Sequence, residues 1–73
     1  MVRYKFSEQL ERKQFRDARR ITIQEVASVT GINRSTLSKI LNVRGYVTGT
    51  DTLEQLCKYF ECQICDIVEI VDA

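Results

Sequence analysis

The chain has 73 residues, a net charge of +1, no proline, no histidine and three glycines. This length allows one small domain over residues 1–73, and a hydrophobic content of 44% argues against a disordered chain. No apolar run approaches the roughly 18 residues of a membrane-spanning helix, and we expect a cytoplasmic protein. Without histidine, and with little room for a pocket, we expect neither an enzyme nor a cofactor.

Charge is distributed unevenly along the chain. Residues 1–44 contain ten lysines and arginines and four acidic residues, whereas residues 45–73 contain one lysine and six acidic residues. A cationic first part of this kind suits an anionic partner such as nucleic acid. A chance division of solvated charges is the alternative explanation.

Both ends of the chain are predicted as short β-strands. Residues 2–6, VRYKF, alternate apolar and basic side chains, and residues 66–71, DIVEIV, are rich in β-branched residues. Neither strand would be stable alone. The two could therefore pair with each other, either within one chain or across a dimer.

The first helix is predicted to be capped by Ser7 and to run from Glu8 to Phe15, or as far as Ala18. Its end overlaps the basic segment RKQFRDARR, residues 12–20, which contains five arginines and lysines. This segment is interpreted either as a solvated helix face or as an edge that contacts phosphates.

The centre of the chain predicts two short helices joined by a tight turn. Residues 22–25, TIQE, match a capping box in which the threonine hydroxyl and the glutamate carboxylate each bind the other's backbone. The helix that follows, IQEVASVT, ends at Gly31, because glycine adopts the left-handed backbone of a helix end without strain. Asn33 then caps a third helix, RSTLSKILN, residues 34–42.

The third helix divides into an apolar and a polar face. At 100° per residue, Leu37, Ile40 and Leu41 fall together on the apolar face. The opposite face carries the hydrogen-bonding and cationic side chains Arg34, Ser35, Ser38, Lys39 and Asn42. The sequence therefore predicts a helix anchored in the core that presents its polar face outward.

A fourth helix is predicted after the glycine-containing loop 43–50. Thr50 or Asp51 would cap it, with Asp51 and Glu54 forming a second box-like pair. Its apolar face repeats at helical spacing through Leu53, Leu56, Cys57 and Phe60. A short fifth helix around residues 64–68 is expected before the last strand.

The three cysteines, Cys57, Cys62 and Cys65, have the spacing C-x4-C-x2-C. Without any histidine they leave a zinc site one ligand short, and an odd number argues against a closed disulfide framework. We interpret them as reduced, small apolar residues, and we expect no metal site.

Two short helices joined by a glycine-containing turn constitute a helix-turn-helix unit, here residues 22–42. The stretches EVASVTGINRSTLSKIL, TDTLEQLCKYFEC and DIVEIV resemble the Cro/repressor-type (Xre-like) helix-turn-helix regulators. The resemblance covers about two thirds of the chain. It implies an all-α, five-helix, repressor-like domain that binds double-stranded DNA, usually as a homodimer on an inverted-repeat operator.

Site residues follow from this assignment and from side-chain chemistry. The residues expected to contact bases lie on the third helix, where arginine can donate twice to guanine and serine can bind base or phosphate. They are Arg34, Ser35, Ser38 and Lys39. The residues expected to contact phosphates are Gln24, Asn33, Thr36, Asn42, Arg44, Arg19 and Arg20. The alternative function is a protein-interaction or antitoxin module on the same fold that does not read bases.

Overall fold

The computed structural model describes residues 1–72 and confirms a mostly helical chain with a helix-turn-helix unit. Four α-helices, one short 3-10 turn and two short strands make up the described residues. In chain order these elements are β1 (Val2–Tyr4), α1 (Phe6–Asp17), α2 (Ile23–Thr30), α3 (Arg34–Asn42), α4 (Thr50–Phe60), the 3-10 turn (Ile64–Asp66) and β2 (Val68–Ile70). No helix in this part of the chain has the length and apolar content that crossing a membrane requires.

The two terminal strands pair with each other within one chain. They are antiparallel, with Val2 opposite Ile70, Arg3 opposite Glu69, and Tyr4 opposite Val68. The backbone bond from Lys5 N–H to the Ile67 carbonyl, at 2.7 Å, continues this ladder toward the core. Pairing brings Met1 and Val71 together on one side of the molecule.

Nine buried apolar side chains form the core of residues 1–72. They come from all four helices and from the segments that join them: Phe6, Ile21, Val26, Ile32, Leu37, Ile40, Leu56, Phe60 and Ile67. The rings of Phe6 and Phe60 meet edge to face, with centroids 5.7 Å apart, an arrangement that aromatic pairs prefer. This contact fixes α1 against the end of α4.

The predicted start of α1 was wrong. The helix begins at Phe6, so Ser7 lies inside the first turn and its hydroxyl donates to the Glu8 carboxylate instead of capping. Lys5 takes the N-cap position without a side-chain bond. Phe6 is 1% exposed, and we attribute the earlier start to the burial of its ring in the core.

The predicted fifth helix was also wrong. Residues 64–66 form a single 3-10 turn, closed by reciprocal bonds between Gln63 and Asp66, and the chain enters β2 two residues later. Ile67 is fully buried, and the next residue, Val68, already belongs to β2 and pairs with Tyr4 of β1, so the chain is extended from there. Four α-helices, not five, are therefore present in residues 1–72.

The N-cap of α4 is Gly49 rather than Thr50 or Asp51. The Asp51 carboxylate folds back over Gly49 and occupies the space that a β-carbon at that position would need. A side chain at residue 49 would displace this carboxylate. The sequence offered two good capping residues, but the cap lies one residue before Thr50 and two before Asp51.

Candidate nucleic-acid interface

The turn between α2 and α3 is built by local hydrogen bonds. Gly31 has a φ of 77° and its N–H donates to the Ala27 carbonyl at 2.9 Å, which ends α2 as predicted. The Thr30 hydroxyl donates to the Val26 carbonyl and accepts from the N–H of Ile32. These bonds direct Ile32 into the core and set the angle at which α3 leaves the turn.

Only one half of the predicted capping box is present at the start of α2. The Thr22 hydroxyl accepts from the Glu25 N–H at 3.1 Å, as predicted. The Glu25 carboxylate does not return the bond, because both of its oxygens accept from the guanidinium of Arg19. The hydrogen bonds from Arg19 lower the pKa of Glu25 below its usual value.

The third helix is held by one face and exposed on the other. Leu37 is fully buried and Ile40 is 4% exposed, so both anchor α3 in the core. The four side chains expected to contact bases, Arg34, Ser35, Ser38 and Lys39, are all exposed and line one shallow depression with Asn33. Neither cation of this set forms a salt bridge within residues 1–72.

Hydrogen bonds on the exposed face determine which polar groups remain available. The Asn33 side-chain oxygen caps α3 by accepting from the Ser35 N–H and from the Ser35 hydroxyl, both at 2.8 Å. The Ser35 hydroxyl proton is therefore in use, and its oxygen is left as an acceptor. The Ser38 hydroxyl accepts a weak bond from Asn42 at 3.4 Å, so its own proton is free to donate.

Tyr46 supports this face, although the sequence did not single it out as a site residue. The Lys39 ammonium lies 6.0 Å from the centroid of the Tyr46 ring, within the range of a cation–π contact. The Tyr4 hydroxyl donates to the Tyr46 carbonyl at 2.7 Å and so ties this loop to β1. In the sequence, the feature that could have pointed to Tyr46 is an aromatic residue in the glycine-containing loop that follows α3.

The side chains expected to contact phosphates occupy different environments. Gln24, Arg20 and Asn42 are exposed, and Thr36 is partly buried beside Asn33 in a depression that Thr52 and Gln55 of α4 also line. The sequence alone did not place these two residues beside the turn; the packing of α4 does, and Asp51 lines the same depression. The two remaining arginines already have partners, Arg44 at the Met1 sulfur and Arg19 at Glu25.

The cysteines lie apart from the exposed face of α3. Cys57 and Cys62 are partly buried and Cys65 is exposed, and all three are free thiols. Burial, reinforced by the neighbouring Cys57, raises the pKa of Cys62 to about 11, so this thiol is less easily ionised than a free cysteine. Within residues 1–72 no group of three cysteine and carboxylate side chains is placed to hold a metal ion.

Comparison with known proteins adds one finding to this geometry. A family model described as a Cro/C1-type HTH DNA-binding domain matches residues 13–73, which include α2, the turn and α3. Searches among curated proteins and among solved structures gave no significant match.

Proposed function

Since the chain belongs to the Cro/C1-type family of helix-turn-helix DNA-binding domains, we propose that it is a transcriptional repressor that reads its operator with α3. Its general role is that of a DNA-binding regulator of transcription. The single helix-turn-helix domain acts in the cytoplasm, without catalysis, and the polar face of α3 enters the major groove of double-stranded DNA. Occupancy of the operator then blocks transcription.

One observation carries this proposal. Two cationic and two hydroxyl side chains are exposed on α3, while Leu37 and Ile40 bury its other face. A helix presented in this way fits the major groove, where each base pair has a distinct pattern of donors and acceptors. A module that contacts only proteins would not need exposed cations without acidic partners on this face.

Base reading is assigned to the first turns of α3. Arg34 donates to the two acceptors of a guanine, an interaction worth about 1–3 kcal/mol of discrimination against other bases. Ser38 has a free proton and donates to a base acceptor, whereas Ser35 has its oxygen available for a base donor. Lys39, held above Tyr46, reaches the same groove from the second turn.

Phosphate contacts surround this helix. We expect Gln24 at the start of α2, the N-cap residue Asn33, and Thr36 and Asn42 of α3 to contact phosphates. Arg20 and Arg44 add cations, and Arg19 joins them where its pair with Glu25 opens. Each neutralised phosphate releases counterions, so binding weakens as salt concentration rises.

A homodimer on an inverted repeat completes the proposal. One recognition helix reads few base pairs, and two copies related by a two-fold axis double the contacts and match the symmetry of such an operator. The half-sites of such an operator lie about 34 Å apart, one turn of the duplex.

Selection of bound sites from random duplex DNA tests the function directly. We expect enrichment of an inverted repeat with guanines at fixed positions in each half. The Arg34→Ala variant serves as the matched control and should lose the preference at one of these guanines. Absence of any enriched sequence, with wild-type protein shown to be folded, would contradict base reading and favour the protein-interaction alternative.

A further inference from the structure

The loop after α3 is folded by backbone hydrogen bonds that begin at Lys39. The Val43 N–H donates to the Lys39 carbonyl at 2.8 Å, and the Tyr46 N–H donates to the Val43 carbonyl at 3.2 Å. Between them Gly45 has a φ of 71°, a left-handed backbone that glycine adopts without strain at the third position of a β-turn. The turn reverses the chain and brings the Tyr46 ring back beside the Lys39 side chain.

Tyr46 is itself fixed by the terminal sheet. The Tyr4 hydroxyl of β1 donates to the Tyr46 carbonyl at 2.7 Å, and Tyr4 lies opposite Val68 of β2. All three residues are partly buried and pack against the core, and they line one cleft with Leu53 of α4. The position of the Tyr46 ring is therefore set by the packing of the terminal sheet and α4 as well as by the turn.

The Tyr46 ring is the group that restricts the Lys39 side chain. Among residues 1–72 no carboxylate forms a salt bridge with the Lys39 ammonium, whereas the Tyr46 ring centroid lies 6.0 Å from it. A lysine side chain is a flexible four-carbon stem, and the conformational entropy lost on fixing it opposes binding. A contact that restricts the side chain before DNA arrives reduces this loss.

We infer that Tyr46 is a positioning residue for base reading: its ring holds the Lys39 ammonium toward the groove, and the Tyr4 hydroxyl holds the loop that carries the ring. The inference rests on the proposed function in assuming that α3 reads bases. It goes further by giving two aromatic residues outside α3 a role in sequence choice. A lysine held in one direction selects the acceptors of a guanine, whereas an unrestricted lysine reaches neighbouring bases and phosphates as well.

The contact with Tyr46 leaves Lys39 on the exposed face of α3. Lys39 is exposed and lines the same shallow depression as Arg34 and Ser38. Tyr46 follows the last residue of α3 by four positions, so its ring approaches from the C-terminal end of the helix. The first turns of α3, which carry Arg34, remain uncovered by this loop.

An aromatic partner suits this role better than an acidic one. A ring attracts a cation through its face but has no net charge, so the ammonium keeps its own charge for a base acceptor. A carboxylate neutralises its cation, as Glu25 does for Arg19. An exposed cation–π contact corresponds to about a two- to fivefold change in an equilibrium constant, which is large enough to measure as a change in base preference.

Substitutions at Tyr46 separate the ring from its hydroxyl. The probe is the duplex selected from random DNA, together with duplexes that differ from it at one base pair, and Lys39→Met identifies the guanine whose preference depends on Lys39. Tyr46→Leu keeps an apolar side chain without a ring, and the preference for this guanine should fall by about two- to fivefold. Tyr46→Phe keeps the ring and should match the wild type. In a Lys39→Met background, Tyr46→Leu should change the preference no further.

A matched pair of tyrosines tests the link to the terminal sheet. Tyr4→Phe removes only the hydroxyl that holds the Tyr46 carbonyl, and it should lower the same guanine preference. The control is Tyr59→Phe, because the Tyr59 hydroxyl is buried and has no hydrogen-bond partner within residues 1–72. This control should leave the preference unchanged. Circular dichroism and sedimentation velocity should show the wild-type fold and association for both variants, and an equal loss of preference in both would overturn the role of Tyr4.

A measurement without DNA separates this inference from the proposed function. In NMR spectra of the free protein, the ring current of Tyr46 should shift the Lys39 ε-methylene protons upfield, and this shift should persist in Tyr46→Phe and vanish in Tyr46→Leu. Absence of the shift in the wild type, or an unchanged guanine preference in Tyr46→Leu, would overturn the inference while base reading by α3 still holds. A protein that selects no DNA sequence would contradict the proposed function, and with it the role in base choice, even where the shift is present.

Discussion

The guanidinium of Arg19 donates two hydrogen bonds to the carboxylate of Glu25, with nitrogen–oxygen distances of 2.9 and 2.7 Å. This pair links the segment before α2 to the first turn of that helix. Arg19 is expected to contact a phosphate, and this pair holds its guanidinium against an acidic group instead. The availability of Arg19 for DNA therefore depends on Glu25.

Replacing Glu25 with glutamine should strengthen non-specific DNA binding. The change removes one negative charge and frees the Arg19 guanidinium for a phosphate, so the dependence of log K on log salt should steepen by about 0.9. Fluorescence titrations on random duplex DNA at several salt concentrations measure this slope. The control is the double variant that combines Glu25→Gln with Arg19→Ala. Equal slopes for the single and the double variant would contradict a phosphate contact by Arg19.

Replacing Arg34 with alanine should reduce sequence discrimination. We expect binding to the selected operator to weaken by about 1–3 kcal/mol more than binding to random DNA, because a bidentate guanine contact is lost. Competition titrations give the difference. The matched control is Arg12→Ala, which removes an exposed cation from α1. An equal loss of binding to both DNAs in Arg34→Ala would contradict base reading.

Replacing Asn33 with alanine should destabilise the start of α3. The cap accepts two bonds of 2.8 Å, and loss of such a cap typically lowers the free energy of unfolding by about 0.5–2 kcal/mol. Urea unfolding followed by circular dichroism measures the change. The control is Asn42→Ala, which removes only a 3.4 Å bond at the end of α3 and should leave the free energy of unfolding nearly unchanged. Equal effects of the two variants would contradict the role of Asn33 as a cap.

Stability should fall as pH rises above about 9, through Cys62. The thiol ionises near 9.0 in the unfolded chain but only near 11 in the folded one, so between these values the unfolded state alone loses the proton and is favoured. Urea unfolding between pH 8 and about 11 follows this loss. The Cys62→Ala variant should lack this part of the pH dependence, whereas identical curves for variant and wild type would contradict the raised pKa.

The α2–turn–α3 unit could be predicted because its determinants are local. Thr22, Gly31 and Asn33 act on backbone groups within four residues of themselves, and the confirmed bounds of α3 follow from its apolar spacing and its cap. The family model of the Cro/C1-type domains matches residues 13–73, which include this unit. The assignment of α3 side chains to bases, and of other residues to phosphates, remains a prediction. It is based on the chemistry of the side chains.

The errors arose where a local preference competed with packing. Ser7 and Asp51 are good caps in isolation, yet the burial of Phe6 and the geometry at Gly49 placed the helix starts elsewhere. The fifth helix shortened to one turn because the chain pairs with β1 from Val68 onward. For α1 and the fifth helix a contact distant in the sequence outweighed a local preference, whereas at α4 the contact joins two near neighbours, Asp51 and Gly49.

By itself, the sequence determined the helical spacing, the turn at Gly31 and the polar face of α3, because these depend on interactions that span about one helical turn. Only the tertiary structure decided that the terminal strands pair within one chain and that Arg19 binds Glu25. The physical reason is that such partnerships join side chains whose distance is set by packing of the whole chain, which no local pattern encodes.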